Sequence, residues 1–265
     1  MADELNRLHG TTVVEWGNGR PLLLTHGAMG GVAANFATLA AHLSGRFHLA
    51  GANYPGSEGS LVPVGDLSVD ELVDQAIAVA DARGWQRFPV LGLSLGTTVA
   101  MTLAARHPER VSALILTVGF ATSDPQIRAF SDGTEALIRL GERTAAAEGI
   151  VSAASSPDAL ADLTLEQWRA AVDETAAGIP DGALAQIALA ARIDVTTAAR
   201  AVVVPTLVVV GGQDRIVLPH TTRHLAKLIK DATRVEYASA GHIFSAPEVA
   251  RWAGDIESFL DQHAT

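Results

Sequence analysis

The sequence predicts an α/β fold, a mostly parallel sheet covered by helices on both faces, and three observations carry that reading. Short β-branched or leucine-rich runs alternate with helical patterns along most of the chain. The stretch "VLGLSLGTTVAMTLAARHPERV", Val90 to Val111, passes from an apolar strand-like run through two glycines straight into an alanine-rich helical pattern. The rhythm then breaks between Phe120 and Arg200, where helical patterns follow one another with no convincing strand between them.

Strands are expected near Thr12 to Trp16, Pro21 to Thr25, Phe47 to Ala52, Phe88 to Leu93, Ala113 to Val118, Val203 to Val210 and Arg234 to Tyr237. The helix after Ser68 is signalled by a capping box with Glu71, by Val69, Leu72, Val73 and Ala76 on one face, and by Gly84 at its end. Further helices follow Ser94, with Pro108 closing it, and Pro247. In the strandless stretch, Thr164 and Gln167 form a second capping box. Leu165, Trp168 and Val172 fall on one stripe, and Gly178 and Pro180 end that helix. Leu184, Ile187, Ala188 and Ala191 repeat the pattern. The chain therefore reads as a core of residues 1–120 and 201–265 interrupted by a helical insertion, 121–200.

Composition narrows the function. The 265 residues are 48% hydrophobic and carry a formal charge of -10, from 19 basic against 29 acidic residues, with no Lys/Arg cluster, which argues against nucleic acid as a partner. Met1 to Glu4 is acidic where a secretory signal would be basic, and the longest apolar run, Ala201 to Val210, is broken by Pro205. The expectation is a cytoplasmic protein without a membrane partner, acting on a small molecule. The absence of cysteine removes disulfides, thiolate zinc sites and cysteine nucleophiles.

GLSLG sits where a strand must reverse into a helix. Such a turn strains Ser94 and requires Gly92 and Gly96, since a side chain at either would collide across it. The strain projects the hydroxyl above the strand ends and aims the Leu95 amide at the same volume. An idle serine in a glycine-rich connection is the plainer alternative. A serine nucleophile needs a base and an orienting acid. Among nine histidines, His242 in "ASAGHIF" follows a strand directly, whereas His107 ends a helix, His224 lies within one, and His9 and His263 are near the termini. For the acid, Asp214 in "VVVGGQDRIVLP" closes a strand and gives the chain order Ser94, Asp214, His242. Asp124 in "TSDP" competes from the end of an earlier strand. The second amide donor for a tetrahedral intermediate is expected from Ala28 in "LLLTHGAMGG", with His26 organising the loop. A phosphate-cradling role for that loop lacks the following Lys-Ser/Thr.

These residues resemble the α/β-hydrolase fold over essentially the whole chain. The resemblance rests on "HGAMGG" (His26 to Gly31), "NYPGSEGS" (Asn53 to Ser60), "GLSLG" (Gly92 to Gly96), "GGQDRIVLP" (Gly211 to Pro219) and "GHIFSAPE" (Gly241 to Glu248). It implies Ser94 as nucleophile, His242 as base, Asp214 as acid, the Ala28 and Leu95 amides as oxyanion hole, and a helical cap at the insertion. With amides to meet the charge on the carbonyl oxygen and His242 to handle the proton, no metal or organic cofactor is expected. Two positions depart from the family pattern: Asn53 stands where aspartate is usual, and Thr97 where a further glycine is common. Met29, Tyr54, Trp168 and Phe244 are the candidate substrate contacts. The functional expectation is a serine hydrolase of a carboxylic ester, lactone or related apolar acyl compound. A hydroxynitrile lyase, perhydrolase or carbon-carbon hydrolase shares the triad, and a non-catalytic binding member of the fold is the third reading.

Overall fold

The computed structural model describes residue 8 and residues 10–263. Met1 to Glu4, on which the localisation expectation rests, and His9 lie outside the described residues. Seven strands, β1 (Val13–Trp16), β2 (Arg20–Thr25), β3 (Phe47–Ala52), β4 (Phe88–Leu93), β5 (Val111–Thr117), β6 (Thr206–Gly211) and β7 (Thr233–Tyr237), form one sheet in the order β1-β3-β2-β4-β5-β6-β7. β1 pairs antiparallel with β3, and the other pairings are parallel. Strand β6 starts at Thr206 rather than Val203: Pro205 has no N–H to give a ladder, and Val203 is 80% exposed.

Alternation along the central strands divides the interior into two cores. Leu23, Val90, Leu114 and Leu116 face α2 (Val69–Ala82), α3 (Leu95–Arg106), α9 (Thr196–Ala201) and α10 (Pro219–Leu228). Leu22, Leu24, Leu91 and Ile115 face α1 (Val32–Leu43) and α11 (Ala246–His263). The capping box of Ser68 and Glu71 starts α2 as its sequence predicts, and Gly84, at φ +68, follows its last turn. Among the described residues no helix is long and apolar enough to cross a membrane.

Between β5 and β6 run α4 (Pro125–Arg139), α5 (Arg143–Ala154), α6 (Pro157–Ala161), α7 (Leu165–Gly178) and α8 (Ala183–Arg192), followed by α9. The segment leaves and rejoins the sheet at a neck, where Thr122 bridges Asp194, the Ser123 N–H reaches Ile193 O at 3.0 Å, and the Val195 N–H reaches Ala121 O at 2.7 Å. Helix α9 lies beyond the neck and packs on α3 and α10. Thr164 and Gln167 cap α7 reciprocally. The stripe expected on α7 is less buried than its pattern implies: Val172 is buried, Trp168 packs partly against it, and Leu165 is 62% exposed. The partner surface on α5 is small, Ala147 and Val151, so it covers Val172 and part of Trp168.

Candidate active site

The turn from β4 into α3 has the geometry its glycines predict. Ser94 stands at φ 53, ψ -121, a left-handed conformation that costs a non-glycine residue about 1–3 kcal/mol and persists only where its surroundings impose it. A Cβ on Gly96 would lie 2.0 Å from the Thr25 carbonyl oxygen, and one on Gly92 2.7 Å from that of Gly96. Thr97 fits where glycine is common because its side chain occupies the space of the side chain that Gly119 lacks, and its hydroxyl donates to Ser94 O at 2.7 Å.

Asp214, 2% exposed, follows β6. Its Oδ1 accepts the N–H groups of Ile216 at 2.8 Å and Val217 at 3.0 Å, while Oδ2 lies 2.7 Å from His242 Nδ1. The carboxylate is thus held on one side by backbone and presents its other oxygen to the imidazole, which puts the proton on Nδ1 and leaves Nε2 as the free base. His242 and Ser94 line the same cavity. No hydrogen bond joins the Ser94 hydroxyl to His242 among the described residues; in unliganded sites such contacts are often long and tighten when substrate binds. Asp124, the competing acid, is engaged elsewhere: it caps α4 by accepting the Ile127 N–H at 2.9 Å, and its other oxygen takes the Thr221 hydroxyl.

The histidine loop is tied to the inserted helices. The Ala154 carbonyl, at the end of α5, accepts the N–H groups of His242 at 2.8 Å and Ile243 at 3.0 Å. Arg215, next to Asp214, donates to the Ser152 carbonyl and, at 3.2 Å, to that of Ser155. Orphan carbonyls at a helix end are thereby satisfied by the two loops that carry Asp214 and His242.

The loop after β2 carries Ala28. Its neighbours' amides are occupied, Gly27 N–H by Asn35 Oδ1 at 2.7 Å and Met29 N–H by Gln186 Oε1 at 2.8 Å. His26 organises this loop as expected: Nδ1 bonds the Gly27 carbonyl at 2.8 Å, and Nε2 accepts the Tyr54 N–H at 2.8 Å. Burial lowers its pKa to about 4, so the ring is neutral near pH 7. Asn53 replaces the usual aspartate because its amide must both accept and donate: Oδ1 takes the Val32 N–H of α1 at 2.7 Å, and Nδ2 reaches the Thr12 hydroxyl at 2.9 Å. Thr12 in turn donates to the Glu58 carbonyl, so an aspartate would leave that contact without a proton.

The cavity encloses about 500 Å³. Ala28, Ser94, Leu95 and His242 line it together with Ile127 and Phe130 of α4, Ile150 of α5, Ile187 of α8, and Phe244, Val249 and Trp252 at the start of α11. Of the four expected substrate contacts, Met29 and Phe244 line it. Tyr54 does not: it is 2% exposed, stacked on His26 at 3.7 Å between ring centroids. Trp168 packs instead on the α5–α7 contact. Gln186 and Arg215 had escaped sequence reasoning. A lone glutamine within "ALAQIALAAR" was the available signal for the first; Arg215, in a turn between elements, gave none.

The alpha/beta hydrolase fold family model matches residues 20–248. The chain is 28% identical over 246 residues to pyrrolizixenacetamide deacetylase of Xenorhabdus hominickii, covering 92% of each chain. It is 28% identical over 264 residues to 2-hydroxymuconate semialdehyde hydrolase of a Pseudomonas species, covering 94% of this chain and 90% of the relative. The enol-lactonase of Burkholderia xenovorans superposes with a TM-score of 0.81 at 22% identity, over 95% of this chain and 96% of that one, a likeness of fold. With its elbow, its cavity and these relatives, the chain belongs to the α/β-hydrolase fold family and is an enzyme of that fold.

Proposed function

We propose that the enzyme hydrolyses an uncharged, largely apolar carboxylic ester or lactone through an acyl-enzyme on Ser94. The observation that carries this reading is the 2.7 Å contact between His242 Nδ1 and a backbone-held Asp214, in the wall of the cavity that also holds the strained serine. His242 Nε2 takes the hydroxyl proton as Ser94 Oγ attacks the carbonyl carbon, and Asp214 stabilises the imidazolium that forms. The Ala28 and Leu95 amides meet the charge on the carbonyl oxygen. The proton passes to the leaving alcohol, and a water activated by the same histidine then releases the acid and restores Ser94. None of these steps calls on a metal or organic cofactor.

The lining supports the substrate class. It contains no lysine or arginine, and its one carboxylate, Glu174, belongs to an exposed position. Three arginines of the inserted segment could in principle offer a charge to the cavity, and none lines it: Arg128 is exposed, Arg139 pairs with Glu135, and Arg192 donates to the Leu67 carbonyl. An apolar wall stabilises a bound hydrocarbon by about 0.8 kcal/mol per buried methylene, so KM falls with acyl length until the cavity is full.

The test is fluorophosphonate labelling with peptide mapping, followed by p-nitrophenyl esters of increasing acyl length, simple lactones and the matching amides. Labelling at Ser94, its loss in Ser94→Ala, and a preference for longer or cyclic neutral acyl groups are expected. Preference for acetate over every longer group contradicts the apolar reading. Faster turnover of acetamides than of esters favours deacetylation, the activity named for the Xenorhabdus relative.

A further inference from the structure

Gln186 lies in α8, one of the inserted helices, and is 0% exposed. Its Oε1 accepts the Met29 N–H at 2.8 Å, while Nε2 donates to the Ser57 hydroxyl at 2.9 Å and the Pro55 carbonyl at 3.2 Å. Backbone chemistry fixes the amide's orientation, since reversing it would set an NH₂ against the Met29 N–H and an oxygen against the Pro55 carbonyl. Ser57 passes the contact on by donating to the Gly30 carbonyl at 2.5 Å. One side chain therefore holds the loop after β2 at Met29 directly and at Gly30 through a hydroxyl.

That loop needs holding. Met29 stands at φ 61, and the glycines at 27, 30 and 31 give it little stiffness of its own. With the Gly27 amide on Asn35 and the Met29 amide on Gln186, the Ala28 N–H stands between two tethered amides and itself has no partner among the described residues, as is also true of the Gly30 and Gly31 N–H groups. The position of α8 is itself defined by a bare contact: a Cβ on Gly182 would lie 2.1 Å from the Pro55 carbonyl oxygen, and the Gly182 N–H reaches Gly56 O at 3.2 Å. One turn on, Gln186 faces the Pro55–Ser57 turn and the Ala28 loop together.

We infer that Gln186 is a positioning residue for transition-state stabilisation: by taking the Met29 amide it aims the Ala28 N–H at the developing oxyanion, so that an inserted helix helps to set the oxyanion hole. This rests on the acyl-enzyme reading above. An oxyanion donor acts only when it lies within about 2.7–3.1 Å of the charge, and losing one costs about 10²–10³ in kcat, so misaiming it shows in kcat rather than in substrate binding.

The experiment compares wild type with Gln186→Met, which keeps the volume without the amide, Gln186→Asn, which is one methylene too short, and Gln186→Glu, whose fully buried carboxyl is kept neutral by desolvation and so offers a carbonyl oxygen to the Met29 N–H and a hydroxyl donor to the Pro55 carbonyl. Kinetics on a p-nitrophenyl ester are paired with the inhibition constants of an arylboronic acid, which forms a tetrahedral adduct on the serine, and of a neutral product alcohol. In the Met and Asn variants kcat falls about tenfold or more, KM and alcohol binding stay within about twofold, boronate binding weakens in parallel with kcat, and Glu restores most of the loss. If the Met variant does not fold, the Asn and Glu variants carry the comparison. Unchanged kcat and boronate affinity overturn the inference, as does a Glu variant as impaired as the others, or a loss shared equally by alcohol, ester and boronate. A wild type that neither labels nor turns over the ester overturns the acyl-enzyme reading itself, whereas an active wild type with indifferent variants removes only the role of Gln186.

Discussion

Asp214 and Asp124 each follow the carboxyl end of a central strand, yet the regions they belong to use a carboxylate differently. In the turn after β6, Asp214 spends one oxygen on two backbone amides and offers the other to His242. At the start of the inserted helices, Asp124 spends one oxygen on the first turn of α4 and the other on Thr221. The strand-end turns fix side chains that point into the cavity. The inserted helices spend Asp124 and Gln186 on ties to the core and line the cavity chiefly with apolar residues such as Ile127, Phe130, Ile150 and Ile187. A carboxylate at a strand end is therefore available for chemistry only when no helix begins on it.

The largest effect that can break this comparison is the exchange of the two acids. Asp214→Asn should lower kcat by roughly 10⁴-fold in a folded protein, because the imidazole loses the partner that fixes its tautomer. Comparable rates for Asp214→Asn and wild type would move the acid elsewhere. The second effect belongs to the loop after β2. His26 has a folded pKa of about 4 against an ordinary 6.5, so the native state favours the neutral ring. Its contribution to stability is present in full above pH 6.5 and is lost as pH falls toward 4, by up to about 1.4 kcal/mol per pH unit. Chemical denaturation across that range should show the slope, and His26→Gln should flatten it.

On the inserted side the effects are smaller and different in kind. Asp124→Ala removes a helix cap and should cost about 1 kcal/mol of stability while leaving kcat within a few-fold, measured by urea unfolding alongside turnover. Loss of activity in step with Asp214→Asn would erase the distinction between the two regions. Ile187→Ala, in the cavity wall, should raise KM for long acyl esters by severalfold and leave short ones nearly unchanged, since each methylene contact is worth about 0.8 kcal/mol. An equal change across the ester series would place Ile187 outside the acyl-binding region.

Legibility in the sequence follows the same division. Strand-end features are written in short-range constraints. A glycine that a carbonyl approaches to 2.0 Å, as at Gly96, tolerates no other residue, so the elbow is readable from five letters. Capping boxes at Ser68 and Thr164 are local in the same way and were equally readable. The cavity lining was not. Ile127, Phe130 and Ile150 have the same pattern as any amphipathic helix, and which of them faces the site depends on how α4 and α5 dock. Tyr54 shows the converse: it lies next to a signature turn, but its ring stacks on His26 beneath the loop instead of facing the cavity. Helix α9 has a helical pattern like its predecessors, and only tertiary packing sets it against α3 and α10.

The junction between α5 and the histidine loop bears on how such an insertion could be exchanged. A Cβ on Gly241 would stand 2.5 Å from the Ala154 carbonyl oxygen, and the amides of residues 242 and 243 both depend on that oxygen. A chimera built by cutting at the neck, however well its new helices folded, would leave the two backbone donors at His242 and Ile243 without their shared acceptor unless the graft delivered a carbonyl to the same point. Swapping this segment is thus constrained at the Ala154 carbonyl as well as at Gln186, and a graft library screened for activity should enrich segments that end a helix at the former.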